Sequence, residues 1–414
     1  MIRDLKEKYL SLWWDTEADL HMENNKISLI EKLTNERRIE QFRKELFKIL
    51  KKAPNKDEEE SWRKSILTQI KDMEMNILGS RESIIDFFID SGYASVTEDF
   101  IDEVKEFDPQ IHVYDIFQAI RNVWIMNSIQ ILFDMKVKLT PSIFSYSMLY
   151  PYSDNYLDDS SISNTDKVEF NKRFRKWILG EEVKPLNCNE ERIYKLIKKI
   201  EEEFERDIFK GLFQSLLDIH SAQVKSLIQQ REKTLPYEKD IIGITFEKGG
   251  TSVLADGYLV RGTLEKEEAE FMFCYGVFLQ IIDDLQDIEE DYNNKHMTIF
   301  SQIDGKYPLD RIINKLINFI DEFFNKELVF VSEEAEKLKK VIQDCSRIMI
   351  FEAISKNKKR FTKEYIKSIE SYSIVRFSYF KKIKKKFQKT FSQEDIIRIC
   401  NILGNSKLEI DIGI

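Results

Sequence analysis

Aspartate residues cluster at two places in the chain, and the cluster nearer the C-terminus has the clearer spacing. In the segment FLQIIDDLQDIEED, Asp283 and Asp287 are four residues apart, Asp287 and Asp291 repeat that interval, and Asp284 stands beside Asp283. Residues four apart lie on one face of a helix, where like charges repel. Mg²⁺ prefers such hard oxygen ligands and relieves the repulsion. The segment therefore predicts a metal site; a solvated charged face is the alternative, which the apolar residues before the cluster disfavour.

The other cluster is Asp154, Asp158 and Asp159 in the segment SDNYLDD. Asp154 and Asp158 again have the spacing that places two carboxylates on one helix face. Bringing them together in an apolar helix costs free energy unless a cation compensates. The segment thus predicts a second group of metal ligands. A helix that ends and enters an acidic loop is the alternative.

Two acidic helix ends that face each other across a bundle are suited to hold several Mg²⁺ ions. Such ions bind a highly charged anion, most naturally a diphosphate, and stabilise it as a leaving group. Gln280, one turn before Asp284, is polar in otherwise apolar surroundings and is a further candidate. The same helix holds aromatic residues, whose faces stabilise cations: Phe271, Phe273, Tyr275 and Phe278. The combination predicts a reaction that forms a carbocation away from water.

The elements that position these residues are predicted to be helices throughout. Glycine (13) and proline (7) are scarce among the 414 residues, and no stretch alternates polar and apolar residues as a strand does. Thr140 and Pro141 mark a helix start that leads to the first cluster. A long helix over Glu265–Tyr292 holds the second cluster, and another is expected over Arg192–Arg231.

Composition excludes several classes of protein. The net charge of -9 argues against a nucleic-acid partner. The four cysteines are scattered without a CxxC spacing, so neither a zinc site nor a disulfide framework is indicated. The first residues have no apolar signal region, and no apolar run is long enough to span a bilayer. We expect a cytoplasmic protein without a transmembrane segment.

These residues resemble the class I isoprenoid synthases, which include trans-prenyltransferases, squalene and phytoene synthases, and class I terpene cyclases. The second aspartate-rich motif of that superfamily has the form F-Q-x-x-D-D-x-x-D; here it reads FLQIIDDLQD over Phe278–Asp287, with one extra residue after the phenylalanine. The motif DNYLDD over Asp154–Asp159 is similar to the forms in squalene synthases and bacterial large terpene synthases. The resemblance covers roughly residues 110–390. It implies an all-α bundle with two facing aspartate-rich motifs and extra N-terminal helices.

The resemblance also implies roles for individual residues. Catalysis is expected to depend on Asp154, Asp158, Asp283, Asp284 and Asp287. Mg²⁺, as about three ions, is expected on Asp154, Asp158, Asp159, Asp283, Asp284, Asp287 and Asp291. The diphosphate of a small-molecule prenyl diphosphate is expected to contact Lys248, Arg261, Lys295, Arg121 and Gln280, with Arg376 as a late contact. A homodimer is a further possibility that the sequence leaves open.

Some of these residues have a plainer interpretation beside the functional one. Lys248 precedes Gly249-Gly250, which we expect to break or kink a helix and turn freed backbone groups to the site; an ordinary helix end is the alternative. For Arg121 the alternative is a structural salt bridge. His220 and His296 have no partners at ligand spacing and are interpreted as structural.

Departures from the superfamily decide which reaction is favoured. Chain-elongating prenyltransferases have an early Gly-Lys-Arg-x-Arg segment and an Arg-Arg pair soon after the first motif, and both are missing here. This favours a one-substrate terpene synthase that releases a hydrocarbon or alcohol and pyrophosphate. A prenyltransferase, either chain-elongating or head-to-head, is the alternative. A helical phosphohydrolase and a non-catalytic scaffold or degenerate synthase subunit also stay open.

The chain is expected to divide near residue 104. Residues 1–104 form an N-terminal helical region that packs on the core, with a polar break at Ala53–Glu60, and residues 105–414 form the catalytic domain. The basic stretch Lys381–Lys389 suits weak contact with an anionic membrane surface. A solvated helix face is the favoured interpretation of that stretch.

Overall fold

The computed structural model describes residues 1–22, 26–51, 59–78, 84–159, 161–230, 238–303, 305–326 and 328–390. Within these ranges the chain forms α-helices and short 3₁₀ turns and no β-strand, which confirms the all-α prediction. None of these helices is long and apolar enough to cross a membrane. The helices are α1 (Ile2–Asp15), α2 (Leu29–Leu50), α3 (Glu59–Leu78), α4 (Ile84–Asp90), α5 (Tyr93–Phe107), α6 (Val113–Leu132), α7 (Pro141–Asp158), α8 (Asn164–Ile178), α9 (Cys188–Glu203), α10 (Lys210–Ser226), α11 (Ile241–Arg261), α12 (Lys266–Gln286), α13 (Ile288–Asn293), α14 (Asp310–Lys326), α15 (Glu333–Lys356), α16 (Lys363–Glu370) and α17 (Phe377–Thr390).

The chain divides into two compact units, each built from two stretches of sequence. The first unit contains Met1–His21 and Gln110–Ser346, and the second contains Met22–Pro109 and the chain from Arg347 onward. This differs from the expected division near residue 104, because the first helix joins the first unit and the C-terminal helices join the second. Contacts between residues far apart in sequence decide such a division, and they leave no local signal.

The first unit is organised around α11 and α12, and α1 packs on both. Lys6 on α1 pairs with Glu247 on α11 at 2.9 Å, and the Tyr9 hydroxyl donates to the backbone carbonyl of Glu270 on α12 at 2.9 Å. The indole of Trp13, fully buried, packs edge-on against the ring of Phe319 at 5.5 Å. Both α11 and α12 are therefore covered on one side by aromatic core residues, which leaves their other faces to form the site.

Close contact between α11 and α12 depends on glycine. A Cβ atom on Gly249 would lie 2.4 Å from the carbonyl oxygen of Gly276, and one on Gly250 would lie 2.5 Å from the ring of Phe273. The helix α11 runs through both glycines without interruption. The prediction that Gly249-Gly250 breaks the chain is wrong: these residues are helical and permit backbone-to-backbone packing.

Other predictions of helix starts and helix lengths from local sequence are confirmed in part. Thr140 caps α7 with its side chain, which accepts from the backbone N–H of Ile143, and Pro141 takes the first helical position, as predicted. The single helix expected over Arg192–Arg231 is instead two helices, α9 and α10, separated at residues 204–209. The expected linker Ala53–Glu60 lies mostly outside the described residues.

The second unit has its own apolar core. Phe42, Leu46 and Leu50 of α2 pack against Ile66 of α3. An ion pair between a buried glutamate and a partly exposed arginine ties its two stretches of sequence together: both carboxylate oxygens of Glu36 accept from the Arg376 guanidinium, at 2.8 and 2.6 Å. Arg376 is therefore engaged by a carboxylate of its own unit, and its expected role as a late diphosphate contact stays a prediction.

Candidate functional site

A cavity of about 170 Å³ in the first unit brings together the acidic residues of the second cluster. It lies where α12 ends, where α13 begins, and beside the first half of α11. Its lining residues are Gln229, Thr245, Lys248, Gln280, Asp283, Asp284, Asp287, Asp291, His296 and Thr298. Four of the seven aspartates predicted as metal ligands, together with Lys248 and Gln280, thus share one cavity.

A break in the helix shapes the acidic wall. The helix predicted over Glu265–Tyr292 ends at Gln286, and α13 starts at Ile288. Asp287 between them has φ of −96° and ψ of 7°, which lies outside the regular helical range. The backbone N–H of Asp291 donates to the carbonyl oxygen of Asp287 at 2.8 Å, so the turn continues past the break. Both residues consequently still line the cavity.

Asp284 is the buried member of the acidic wall, with 8% of its surface exposed. One carboxylate oxygen accepts from the Gln280 side-chain amide at 2.9 Å, and the other accepts from the Thr245 hydroxyl at 3.2 Å. Burial raises the pKa of Asp284 to about 6, the charge of Asp283 adds to this, and Gln280 and Lys248 act against it. Two hydrogen bonds therefore hold a carboxyl group that has little positive charge near it.

Burial also shifts the pKa values of Asp291 and His296 toward their neutral forms. Burial, and then the charges of Asp284 and Asp287, raise the pKa of Asp291 to about 7. Burial and the nearby Lys248 lower the pKa of His296 to about 4, so its ring is neutral at pH 7. Its Nδ1 lies 3.8 Å from a carboxylate oxygen of Asp291. Adding a cation to this cavity would lower the electrostatic free energy of all these carboxylates.

The first cluster stands beside the cavity and is not part of its lining. Asp154 on α7 accepts from the side-chain amide of Gln223 at 3.5 Å. The pKa of Tyr150 is raised first by the charge of Asp154, then by burial and by the charge of Asp283, while Arg121 lowers it. The hydroxyl of Tyr150 therefore lies in the field of both aspartate clusters.

The other two residues of the first cluster have different places. Asp159 is exposed, and its carboxylate accepts from the backbone N–H of Ser161 at 2.8 Å, which closes the turn after α7. The carboxylate thus serves its own turn, and its expected role as a metal ligand stays a prediction. Asp158 is the last residue of α7, and its side chain lies outside those that the structure describes.

The expected diphosphate ligands separate into two groups. Lys248 and Gln280 line the cavity. Arg261 lies thirteen residues beyond Lys248 on α11, about 20 Å along the helix axis. Its guanidinium donates to both carboxylate oxygens of Glu268, at 2.8 and 2.5 Å, and lies 4.5 Å from the ring centre of Phe133. In the structure Arg261 therefore joins α11 to α12 at the opposite end, and its expected contact with the diphosphate stays a prediction.

The remaining basic candidates are not cavity residues. Lys295 is exposed, with φ of 56° in the turn after α13, and is absent from the lining residues. Arg121 on α6 is also exposed, and its charge reaches Tyr150 rather than the cavity wall. Neither position contradicts contact with a large ligand. Neither residue belongs to the preformed site.

Four lining residues were missed by sequence reasoning: Gln229, Thr245, His296 and Thr298. Thr245 precedes Lys248 by three residues, a helical spacing that could have suggested a shared face. His296 was interpreted as structural, yet it lines the cavity. His220 fits that interpretation: its ring is buried and packs edge-on against Phe174 at 5.2 Å.

The aromatic residues of α12 serve the core. Phe271, Tyr275 and Phe278 are buried, and the Phe271 ring packs on Phe323 at 5.0 Å. None of these aromatic residues lines the aspartate cavity. A small cavity of about 30 Å³ lies instead along α7, between Tyr146, Tyr150 and the helices α8 to α10. It has the volume of about one water molecule.

The donor set of the aspartate cavity fits a hard divalent cation. Its acidic and hydroxyl side chains offer oxygen atoms, which Mg²⁺ prefers. Across the described ranges, no three His, Cys, Asp or Glu side chains are so placed that they hold one metal ion together. By chemistry and position, Asp283, Asp284, Asp287 and Asp291 are the residues that would hold a cation.

Comparisons of the chain with protein-family models, with curated proteins and with solved structures give no match.

Proposed function

We propose that the protein is a class I terpene synthase that converts a linear prenyl diphosphate into a terpene hydrocarbon or alcohol and pyrophosphate. The observation that supports this most strongly is the shared cavity of four aspartates, Lys248 and Gln280. An acidic cavity of this kind, with Asp284 buried and Asp283 and Asp287 exposed, is suited to an anion that arrives with divalent cations. A diphosphate is the natural anion, since it both binds metal and leaves as a stable product.

Bound Mg²⁺, held by Asp283, Asp284, Asp287 and Asp291, would supply the positive charge that stabilises a departing diphosphate. Lys248 adds a direct positive charge on the α11 side. Gln280 and Thr245 fix the orientation of the Asp284 carboxylate through hydrogen bonds of 2.9 and 3.2 Å. Tyr150 and Asp154 lie on the α7 side, where the charges of Asp154 and Asp283 both act on the Tyr150 hydroxyl.

The basic residues favour a one-substrate reaction over prenyl transfer. A prenyltransferase must bind a second diphosphate, for which several lysine or arginine side chains are needed. Among the lining residues of the cavity, Lys248 is the single lysine or arginine. The hydrocarbon chain would enter beside α7, where the cavity of about 30 Å³ must widen through movement of Tyr146 and Tyr150.

The direct test is incubation of the full-length protein with Mg²⁺ and prenyl diphosphates of ten to twenty-five carbons, with and without isopentenyl diphosphate. Pyrophosphate release and extracted products, identified by mass spectrometry, are measured. We expect one substrate alone to give a hydrocarbon or alcohol. Asp284→Asn should abolish the product, because the cavity loses its most buried carboxylate. Glu290→Gln is the matched control, since Glu290 is an exposed acid on α13 outside the cavity lining.

Other results would point to other functions. A longer diphosphate that forms only with isopentenyl diphosphate would make the protein a prenyltransferase. Inorganic phosphate in place of pyrophosphate would indicate a phosphohydrolase. If no product forms, and Mg²⁺ with pyrophosphate leaves the melting temperature unchanged, the protein is a scaffold, because ligand binding to the native state must raise that temperature.

A further inference from the structure

A second and larger cavity lies in the first unit, with a volume of about 690 Å³. It is an open groove between the end of α1, the start of α11, residues 299–303 and the start of α14. This volume is typical of small-molecule sites. Its apolar surface comes mainly from Trp13, Trp14, Ile241, Ile242, Ile303 and Ile312.

The surface of the groove is more apolar than an ordinary exposed surface. Trp14 has 64% of its surface exposed, although an indole gains free energy by leaving water. Trp13, directly before it, is buried and packs on Phe246 and Phe319. Trp13 thus forms a rigid base for the groove, and Trp14 forms an exposed side wall. A hydrocarbon chain in the groove would cover the exposed indole.

Charge in the groove has one dominant sign. Its charged lining residues are Lys239, Arg311 and Lys315 against Asp240. The Asp240 carboxylate accepts from the backbone N–H of Gly243 at 2.9 Å and caps α11, so the lining side chains carry three positive charges and one negative charge. The unbalanced positive charge selects an anion.

The three basic side chains of the groove differ in their freedom to bind that anion. The Lys315 ammonium donates to the backbone carbonyls of Trp13 and Thr16, at 2.7 and 2.5 Å, which holds it against the end of α1. Lys239 and Arg311 are exposed, and their side chains have no hydrogen bond or ion pair within the described part of the chain. These two cations are available to a ligand.

We propose that the groove binds a long-chain fatty carboxylate, with its hydrocarbon chain along the isoleucines and Trp14 and its carboxylate at Arg311 and Lys239. A guanidinium matches a carboxylate with two parallel hydrogen bonds. A concave groove suits a single chain, whereas a membrane surface needs a convex or flat apolar face. The proposal uses no residue of the aspartate cavity, so it is independent of the proposed terpene synthase activity.

The test is isothermal titration calorimetry of the full-length protein with oleate below its critical micelle concentration, in EDTA. We expect one oleate per chain. Arg311→Glu and Lys239→Glu should each weaken binding at least tenfold, roughly the effect of 1.4 kcal/mol. Lys266→Glu is the matched control, because Lys266 is an exposed lysine of the same unit outside both cavities. Asp287→Asn, in the aspartate cavity, should leave oleate binding unchanged.

Three results would overturn the proposal. The first is absence of oleate binding, and the second is binding that Arg311→Glu and Lys239→Glu leave unchanged. The third is binding to anionic vesicles, or to a prenyl diphosphate in EDTA, without binding of monomeric oleate; this would assign the groove to a membrane or to a phosphate ligand. Because the titration contains no metal and no turnover, loss of terpene synthase activity would not affect its outcome.

Discussion

The contact between α11 and α12 sets the position of Lys248 against Asp284, and Gly249→Ala tests it. The added Cβ would lie 2.4 Å from the carbonyl oxygen of Gly276 and 2.5 Å from the Cβ of Gln280. An ordinary contact is at least 3.4 Å. The helices must therefore separate by about 1 Å, since a helix backbone cannot rotate away as a side chain does.

The energetic cost follows from two opposing effects. Overpacking of a close contact destabilises a protein by about 1–3 kcal/mol. Alanine in place of glycine inside a helix gains about 1 kcal/mol. Because backbone atoms are involved, we expect Gly249→Ala to lower the free energy of unfolding by about 1–2 kcal/mol. Gly257→Ala is the matched control: its Cβ would meet side chains rather than backbone, those of Met272 and Leu264 at 2.9 and 3.2 Å, so the loss of stability should be smaller.

The functional consequence should be larger than the loss of stability. A shift of about 1 Å between Lys248 and Asp284 should lower pyrophosphate release about 100-fold, as for other displaced catalytic groups. Urea denaturation measures stability, and circular dichroism verifies that the variant is folded at the assay temperature. If Gly249→Ala is as stable and as active as the wild type, close backbone packing does not set the geometry of the site.

Two further predictions concern charged residues of the first unit. Asp256 is fully buried, one of its oxygens accepts from the Asn122 amide at 3.2 Å, and burial raises its pKa to about 8. Between pH 3.8, the usual pKa of an aspartate, and about pH 8, the native state keeps this proton and the unfolded state loses it, so stability should fall as pH rises through this window. Between pH 5 and pH 8 this group should cost the wild type about 3–4 kcal/mol, whereas Asp256→Asn should lack the loss in urea denaturation; parallel pH profiles for the two proteins would contradict the assignment. Arg261→Met should lower stability by about 1–2 kcal/mol, since Glu268 loses its partner, and should leave the rise in melting temperature with Mg²⁺ and pyrophosphate unchanged. If Arg261→Met removes the rise in melting temperature, Arg261 contacts the diphosphate.

Local sequence determined the helical class and the acidic wall. The capping of α7 by Thr140 and Pro141 involves neighbours in the chain, so residue types alone predict it. The spacing of Asp283, Asp287 and Asp291 is also local, and it places them in one cavity even though α12 ends between them. Hydrophobic periodicity and capping act over a few residues, which is why these predictions succeed.

Tertiary contacts decided the rest. Gly249 and Gly276 are 27 positions apart, and only their approach shows that the glycines pack helices rather than break one. Glu36 and Arg376 are 340 positions apart, and only the folded chain shows that they pair. Thr245 and His296 become cavity residues only when α11 and the turn after α13 meet beside α12. Such contacts form wherever burial and charge pairing lower the free energy of the whole fold, and that depends on residues that no short stretch of sequence contains.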